Sequence, residues 1–193
     1  MLIFHGSRKE NKIALTFDDG PNPYGIPKVL DILDKHKEKA TFFLIGKWVK
    51  LYPDIVKQIN RRGHLIGNHS YNHFRYKRDL KQSANEIYKI TKKFPTYIRP
   101  PYGNLLPYLP EMFSNRSQIV MWDVLPYDWK MARQEIFNNV INKVKNGSII
   151  VLHDGSHREG QEKRCKEMLA SLSEMIKILK EKYELVRIDK MKF

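Results

Sequence analysis

Lys12-Ile13-Ala14-Leu15-Thr16-Phe17-Asp18-Asp19-Gly20-Pro21 is an apolar run that stops at two adjacent carboxylates and a Gly-Pro pair. Residues 12–17 read as a strand, being short, rich in Ile, Thr and Phe, and bounded by turn formers. Neighbours on a strand point to opposite faces. Asp18 and Asp19 can therefore serve one site only if the chain turns there, and Gly20-Pro21 is placed to turn it. Outward from this stretch the pattern recurs. Residues 40–45, 64–67, 96–99, 119–122, 148–152 and 184–188 also read as strands. Between them lie helical stripes: Ile26, Val29, Leu30 and Leu33; Ile55, Val56 and Ile59, opened by Pro53; Leu80, Ala84 and Ile87; Ile136, Val140, Ile141 and Val144; and Cys165, Met168, Leu169, Leu172, Met175, Ile176 and Leu179. Residues 105–114 make a weak helix because Pro107 and Pro110 interrupt it.

Strand and helix in alternation imply parallel strands joined by crossover helices. Periodicity alone fits an open doubly wound sheet and a closed barrel equally. Polar residues separate the two. Asp18 and Asp19, His69 and His73, Arg99, Asp128 and His153 all fall at or after the C-terminal ends of successive strands, and barrels build their sites from several strand ends on one face. The expected fold is α/β, a distorted, incomplete TIM-like barrel, with residues 1–193 forming one domain.

Composition limits the alternatives. A 193-residue chain with 41% hydrophobic and 29% charged residues has ordinary globular make-up, neither disordered nor fibrous. The single cysteine, Cys165, precludes an intramolecular disulfide and a Cys-rich zinc site; on its apolar stripe it reads as a small core residue. The net charge of +14 is spread along the chain and broken by acids, which fits a solvated Lys-rich surface better than a nucleic-acid face. No apolar run reaches the length of a membrane span. Met1-Leu2-Ile3-Phe4-His5-Gly6 is too short for the core of a signal peptide. The chain is expected to act in the cytoplasm, or, if a leader has been removed, outside the cell or at the cell wall.

Five motifs carry chemistry. The Asp18-Asp19 pair comes first. His69-Ser70-Tyr71-Asn72-His73 spaces two imidazoles four apart, the spacing of one helical turn, and with Asp19 they make a three-ligand set that leaves a position open on a tetrahedral ion. Arg99-Pro100-Pro101-Tyr102-Gly103 is a stiff turn able to hold a carboxylate with Arg99 and to aim the Tyr102 N–H at a developing oxyanion. Residues 122–129 are dense in aromatics and acids, and their rings suit the apolar faces of sugars. Ile149-Ile150-Val151-Leu152-His153-Asp154 is a buried strand in which alternation puts Val151 and His153 on one side. Each motif alone also has a plain structural reading. Their order and their common place at strand ends make coincidence a poor account.

Over residues 12–188 the chain resembles the polysaccharide deacetylases of carbohydrate esterase family four, the NodB-type chitooligosaccharide deacetylase domain. TFDDGP, H-S-x-x-H, RPPYG, an Asp-Trp pair and a strand ending in LHD carry the resemblance in that order. It implies metal-dependent removal of N-acetyl groups from GlcNAc-containing polysaccharide, with the glycan as partner and a monomer as the working unit. Asp18 then resembles the catalytic base, and Asp19, His69 and His73 the ligands of one divalent ion. Zinc suits that set, and cobalt, manganese, nickel and iron are compatible. Arg99 resembles the residue that orients the base, Tyr102 the oxyanion donor, His153 the general acid and Asp128 its partner. Trp129 and Val151 would line the acetyl pocket. The usual D-x-x-D-W reads Leu125-Pro126-Tyr127-Asp128-Trp129 here, so the first acid is missing, and Asp123 is the nearest acid able to occupy related space. Hydrolysis of another non-peptide amide, and a carbohydrate-binding protein of the same fold with reduced activity, are the competing functions.

Overall fold

A computed structural model describes residues 1–74, 79–112, 117–158 and 160–193. In chain order the strands are β1 (Leu2–Ile3), β2 (Lys12–Asp18), β3 (Thr41–Leu44), β4 (Leu65–Asn68), β5 (Tyr97–Ile98), β6 (Gln118–Val120), β7 (Ile149–His153) and β8 (Glu184–Leu185). The helices are α1 (Gly25–His36), α2 (Gly46–Leu51), α3 (Pro53–Arg61), α4 (Asp79–Thr91), α5 (Leu109–Met112), α6 (Arg133–Ile141) and α7 (Lys166–Lys180). The sheet runs β1-β6-β5-β4-β3-β2-β7 and every pairing in it is parallel. It curls into an incomplete, distorted barrel, as the strand-end placement of the polar residues predicts. β2 is shared: Lys12 and Ile13 pair with β8, and Ala14–Asp18 pair with β7.

Alternation along the strands sorts the side chains into two layers. Ile13, Leu15 and Phe17 of β2, Phe42 and Leu44 of β3, and Ile150 and Leu152 of β7 face the helices, where they pack on the stripes of α1, α3, α6 and α7. Each buried aliphatic side chain of α1 (Ile26, Val29, Leu30 and Leu33) contributes about 1.5–3 kcal/mol relative to exposure. The intervening residues face the barrel interior, where Ala14, Phe43, Val120 and Ile149 form a second cluster toward one end. On the same side, Thr16, Asp18, Val151 and His153 point toward the C-terminal mouth. α1 starts hard against that mouth. Asn22 Oδ1 accepts the Tyr24 and Gly25 N–H groups at 2.8 and 2.7 Å, and a Cβ at Gly25 would lie 1.7 Å from the Asp154 carbonyl oxygen, so only glycine fits.

Two elements depart from expectation. β1 and α2 are too short to show a period, and neither is legible in the sequence. The 105–114 segment does carry short helical turns, Leu106–Tyr108 and α5, up to residue 112; residues 113 and 114 lie outside the described residues. No helix among the described residues is long and apolar enough to cross a membrane.

Cys165 is 2% exposed and packs in the helix-facing core, where burial pushes its thiol up to about 12. The folded protein should therefore resist thiol reagents and react rapidly once unfolded. Cys165→Ala should keep full turnover with a modest loss of stability, read by denaturant titration.

Candidate active site

The mouth of the barrel opens into a cavity of about 480 Å³ whose lining includes Asp18, Asp19, His69, His73, Tyr102, Trp129, Val151 and His153. Five strand ends, those of β2, β4, β5, β6 and β7, supply these groups, some by simple alternation and some through a left-handed residue. Asp18 already faces the interior. Asp19 would face the helices, but its φ of 76° is left-handed and swings the carboxylate to the same side as Asp18. The turn thus sits on Asp19 itself rather than on Gly20-Pro21. Asp is among the few residues that tolerate this conformation.

His69 and His73 do meet, with ring centroids 4.9 Å apart, but not on a helix. Residues 69–73 form a loop with left-handed turns at Ser70 (φ 65°) and His73 (φ 59°). The N-terminus of α2 pins it, since Gly46 and Lys47 donate to the carbonyls of Ser70 and Tyr71 at 2.9 and 3.0 Å. The helical reading of H-x-x-x-H is therefore corrected, and its convergence on one point holds. His69 Nδ1 lies 2.7 Å from the Arg99 carbonyl, which can only accept, so Nδ1 carries the proton and Nε2 keeps its lone pair toward Asp18 and Asp19, 3.8 and 3.7 Å away. Burial pulls the His69 imidazole down to about 4, so it is neutral at pH 7. His73 Nε2 is 3.2 Å from Asp19 Oδ1.

Asp19, His69 and His73 each offer a ligand atom, all within 4.8 Å of one another, and all three residues are buried. Asp19 Oδ1 has no hydrogen-bond partner. A buried carboxylate oxygen left bare between two imidazoles is a costly arrangement without a cation, and the donor set suits a borderline divalent ion. Burial alone would raise the Asp19 carboxyl; the His157 and His73 imidazoles beside it outweigh burial and hold it well below the usual range.

Arg99 is fully buried and does not reach the pocket wall. Its Nη1 donates to Asp18 Oδ1 at 2.8 Å and Thr16 Oγ1 at 2.6 Å, Nη2 to the Met121 carbonyl at 3.0 Å and Nε to the Val120 carbonyl at 3.2 Å. The guanidinium also lies over the Phe43 ring, 4.2 Å from its centroid. The carboxylate it clamps is that of Asp18.

His153 takes a clamp of its own. Asp128 accepts from its Nδ1 at 2.9 Å and from its backbone N–H at 2.6 Å, leaving Nε2 for the pocket. Burial alone would lower this imidazole; the charge and hydrogen bond of Asp128 outweigh it and raise it to about 10. Trp129 stands edge-on to the His153 ring at 5.0 Å, and Val151 completes that wall. Asp123 does not stand in for the missing acid. It accepts from Arg8 at 2.8 Å, Ser148 Oγ at 3.0 Å and the Ile149 N–H at 2.8 Å, outside the cavity, and the pocket wall at this point is Leu125. His157 is the residue sequence reasoning missed. It lies in the loop after β7, stacked on His73, and nothing in its local sequence marks it.

A family model described as polysaccharide deacetylase matches residues 5–115. This chain belongs to the polysaccharide deacetylase family. Among curated relatives of this polysaccharide deacetylase chain, a peptidoglycan-N-acetylglucosamine deacetylase of Bacillus cereus is 37% identical over 169 residues, spanning 81% of the chain and 62% of the relative. The chain thus covers less than two thirds of that protein's length. The crystal structure of the Bc1960 peptidoglycan N-acetylglucosamine deacetylase superposes with a TM-score of 0.91 at 34% identity, covering 99% of this chain and 92% of the other. A wild-type CE4 family pseudoenzyme from Bacillus anthracis also superposes, with a TM-score of 0.85 at 27% identity over 99% of this chain and 68% of its own. Membership in the polysaccharide deacetylase family alone therefore does not decide activity, and the geometry must.

Two outcomes are expected. Arg99→Met leaves Asp18 buried without its cation and should cost about 3–5 kcal/mol in denaturant unfolding at neutral pH. His153, raised to about 10 from 6.5, binds a proton in the folded state that the unfolded chain releases between those values. Its stabilising contribution is complete below pH 6.5 and is lost as pH rises through 10. The unfolding midpoint should fall across that window, and fall less in Asp128→Asn.

Proposed function

We propose that this chain hydrolyses N-acetyl groups from GlcNAc-containing polysaccharide, with peptidoglycan as the substrate class and the cell wall as the place of action. The observation that carries the reading is that Asp18 and His153, paired across β2 and β7, share one cavity with the Asp19–His69–His73 cluster. Asp19, His69 and His73 would hold one divalent ion, zinc being the best match to two imidazoles and a carboxylate. Such an ion polarises a carbonyl and lowers the pKa of water to about 7.

The chain's own groups divide the remaining work. Asp18, oriented by Arg99, takes the proton from the attacking water. The peptide N–H of Tyr102, a left-handed residue (φ 58°) lining the pocket, would donate to the oxygen on which charge develops. His153 gives a proton to the departing amine. It stands charged at neutral pH because Asp128 holds it so. Trp129, Val151 and Leu125 make an apolar wall for the acetyl methyl group, and the exposed rings of Tyr102 and Tyr127 give a sugar a surface to lie on. With Leu125 where an acid is usual, this wall is less polar, which changes substrate preference without removing a proton-transfer group.

Acetate release from chitooligomers and peptidoglycan, measured with chelator and with metal added back, tests the reading. Activity should vanish on chelation and return with a divalent ion. His69→Ala and His73→Ala should lose both ion and activity. Asp18→Asn should retain the ion and lose roughly 10²–10⁴-fold in turnover. His153→Ala should lose a similar factor on the amide and far less on an activated acetyl ester, whose leaving group needs no proton. Full turnover by the chelated protein would sink the metal-dependent reading.

A further inference from the structure

We propose that His157 is a positioning residue for the metal cluster, holding the oxygen of Asp19 that faces away from His69 and His73. It rests on the metal-site reading above. Asp19 Oδ1 is turned to the two ligand imidazoles, and Oδ2 lies 3.5 Å from His157 Nδ1. A carboxylate only accepts, so Nδ1 carries the hydrogen. Nε2 then holds a lone pair, and the Tyr102 hydroxyl stands 3.3 Å from it as the donor. The carboxylate thus assigns the tautomer, and the Tyr102 hydroxyl, which can donate as well as accept, is compatible with it.

Ring packing fixes the imidazole in that pose. His157 stacks on His73 with centroids 4.2 Å apart and planes 15° from parallel. The Tyr102 ring meets both edge-on, at 4.6 Å from His73 and 5.6 Å from His157. His73 is boxed between two rings, one delivered by the loop after β5 and one by the loop after β7. A ligand carboxylate with its second oxygen held has one rotamer, and a ligand imidazole stacked on a neighbour has one plane. Outer groups that orient ligands in this way typically account for 10–100-fold in metal affinity.

The test is the affinity of wild type, His157→Ala and His157→Asn for Co²⁺, measured by competition with a chromophoric chelator, with the visible spectrum of each Co²⁺ form and the unfolding midpoint of each metal-free protein. The Asn side chain can place its N–H₂ where Nδ1–H stands. His157→Ala should bind roughly 10–100-fold more weakly, His157→Asn should recover most of the loss, and the Co²⁺ bands should keep their positions because the ligand set is unchanged. If the Ala variant fails to fold, the Asn variant against wild type still reads the spectrum and the affinity. Unchanged affinity in His157→Ala, no recovery in His157→Asn, or a change of Co²⁺ bands that marks His157 as a ligand would each overturn the proposal. Wild type that binds no divalent ion overturns the metal reading itself, and tight binding by wild type with an unaffected Ala variant overturns only the role of His157.

Discussion

The buried ion pair between Arg99 and Asp18 holds the interior of the barrel together. A guanidinium with no exposure is tolerable only when nearly every N–H finds an acceptor and the charge finds a counter-ion. Arg99 meets both demands by drawing on β2, through Thr16 and Asp18, and on the chain at the end of β6, through the carbonyls of Val120 and Met121. Its own carbonyl takes the proton of His69. One residue thus links Asp18, the imidazole of His69 and two strands on opposite sides of the curl. Pairs of this kind are seldom a net source of stability, since a packed apolar core does as well. What the pair secures here is the position of a carboxylate in a place that would otherwise expel it.

The second constraint is backbone strain. Among the described residues, the non-glycine positions with positive φ are Asp19, Ser70, His73, Tyr102 and Tyr127, all in or beside the mouth, together with Lys37 and Lys92 after the C-terminal ends of α1 and α4. Helix ends commonly close in this way. The other five do not close helices: Asp19 tolerates the conformation, and Ser70, His73, Tyr102 and Tyr127 each cost about 1–2 kcal/mol against a right-handed or extended backbone. Strain gathered at one end of the molecule marks residues held in place for their side chains or peptide groups, with the helix-facing core supplying the stability that tolerates it.

Where the chain follows a period, the sequence was a good guide. Alternation in residues 148–152 foretold that Val151 and His153 share a face of β7, and the stripes of α1 and α7 foretold the core. The His69–His73 spacing pointed to the right partners for the wrong local reason, because a loop with two left-handed residues and a helical turn both bring positions four apart together. β1 and α2 were invisible because two and six residues hold too little of a period. His157 and Asp123 needed long-range information. The first gains its meaning from Tyr102 and His73 across the mouth, and the second from Arg8 and Ile149 across the sheet.

The curl is never sealed by a full strand. After β6 the chain returns to β7 through a single bridge, Val124 to Ile150, reinforced by the hydrogen bonds of Asp123. From that seam the same segment carries Leu125, Tyr127, Asp128 and Trp129 to the pocket. The barrel therefore has two kinds of wall. The strands that present Asp18 and the metal cluster are locked by ladders on both sides, where a change in one residue disturbs its neighbours. Within the seam Asp123, Val124, Pro126 and Asp128 are anchored by hydrogen bonds or burial, whereas Leu125 and Tyr127 face the pocket, so these two positions can exchange bulk and polarity at smaller cost to the sheet. On the proposed reading, proton transfer and substrate choice are thus housed in parts of different rigidity, so that the glycan accepted can be retuned without touching the groups that release acetate.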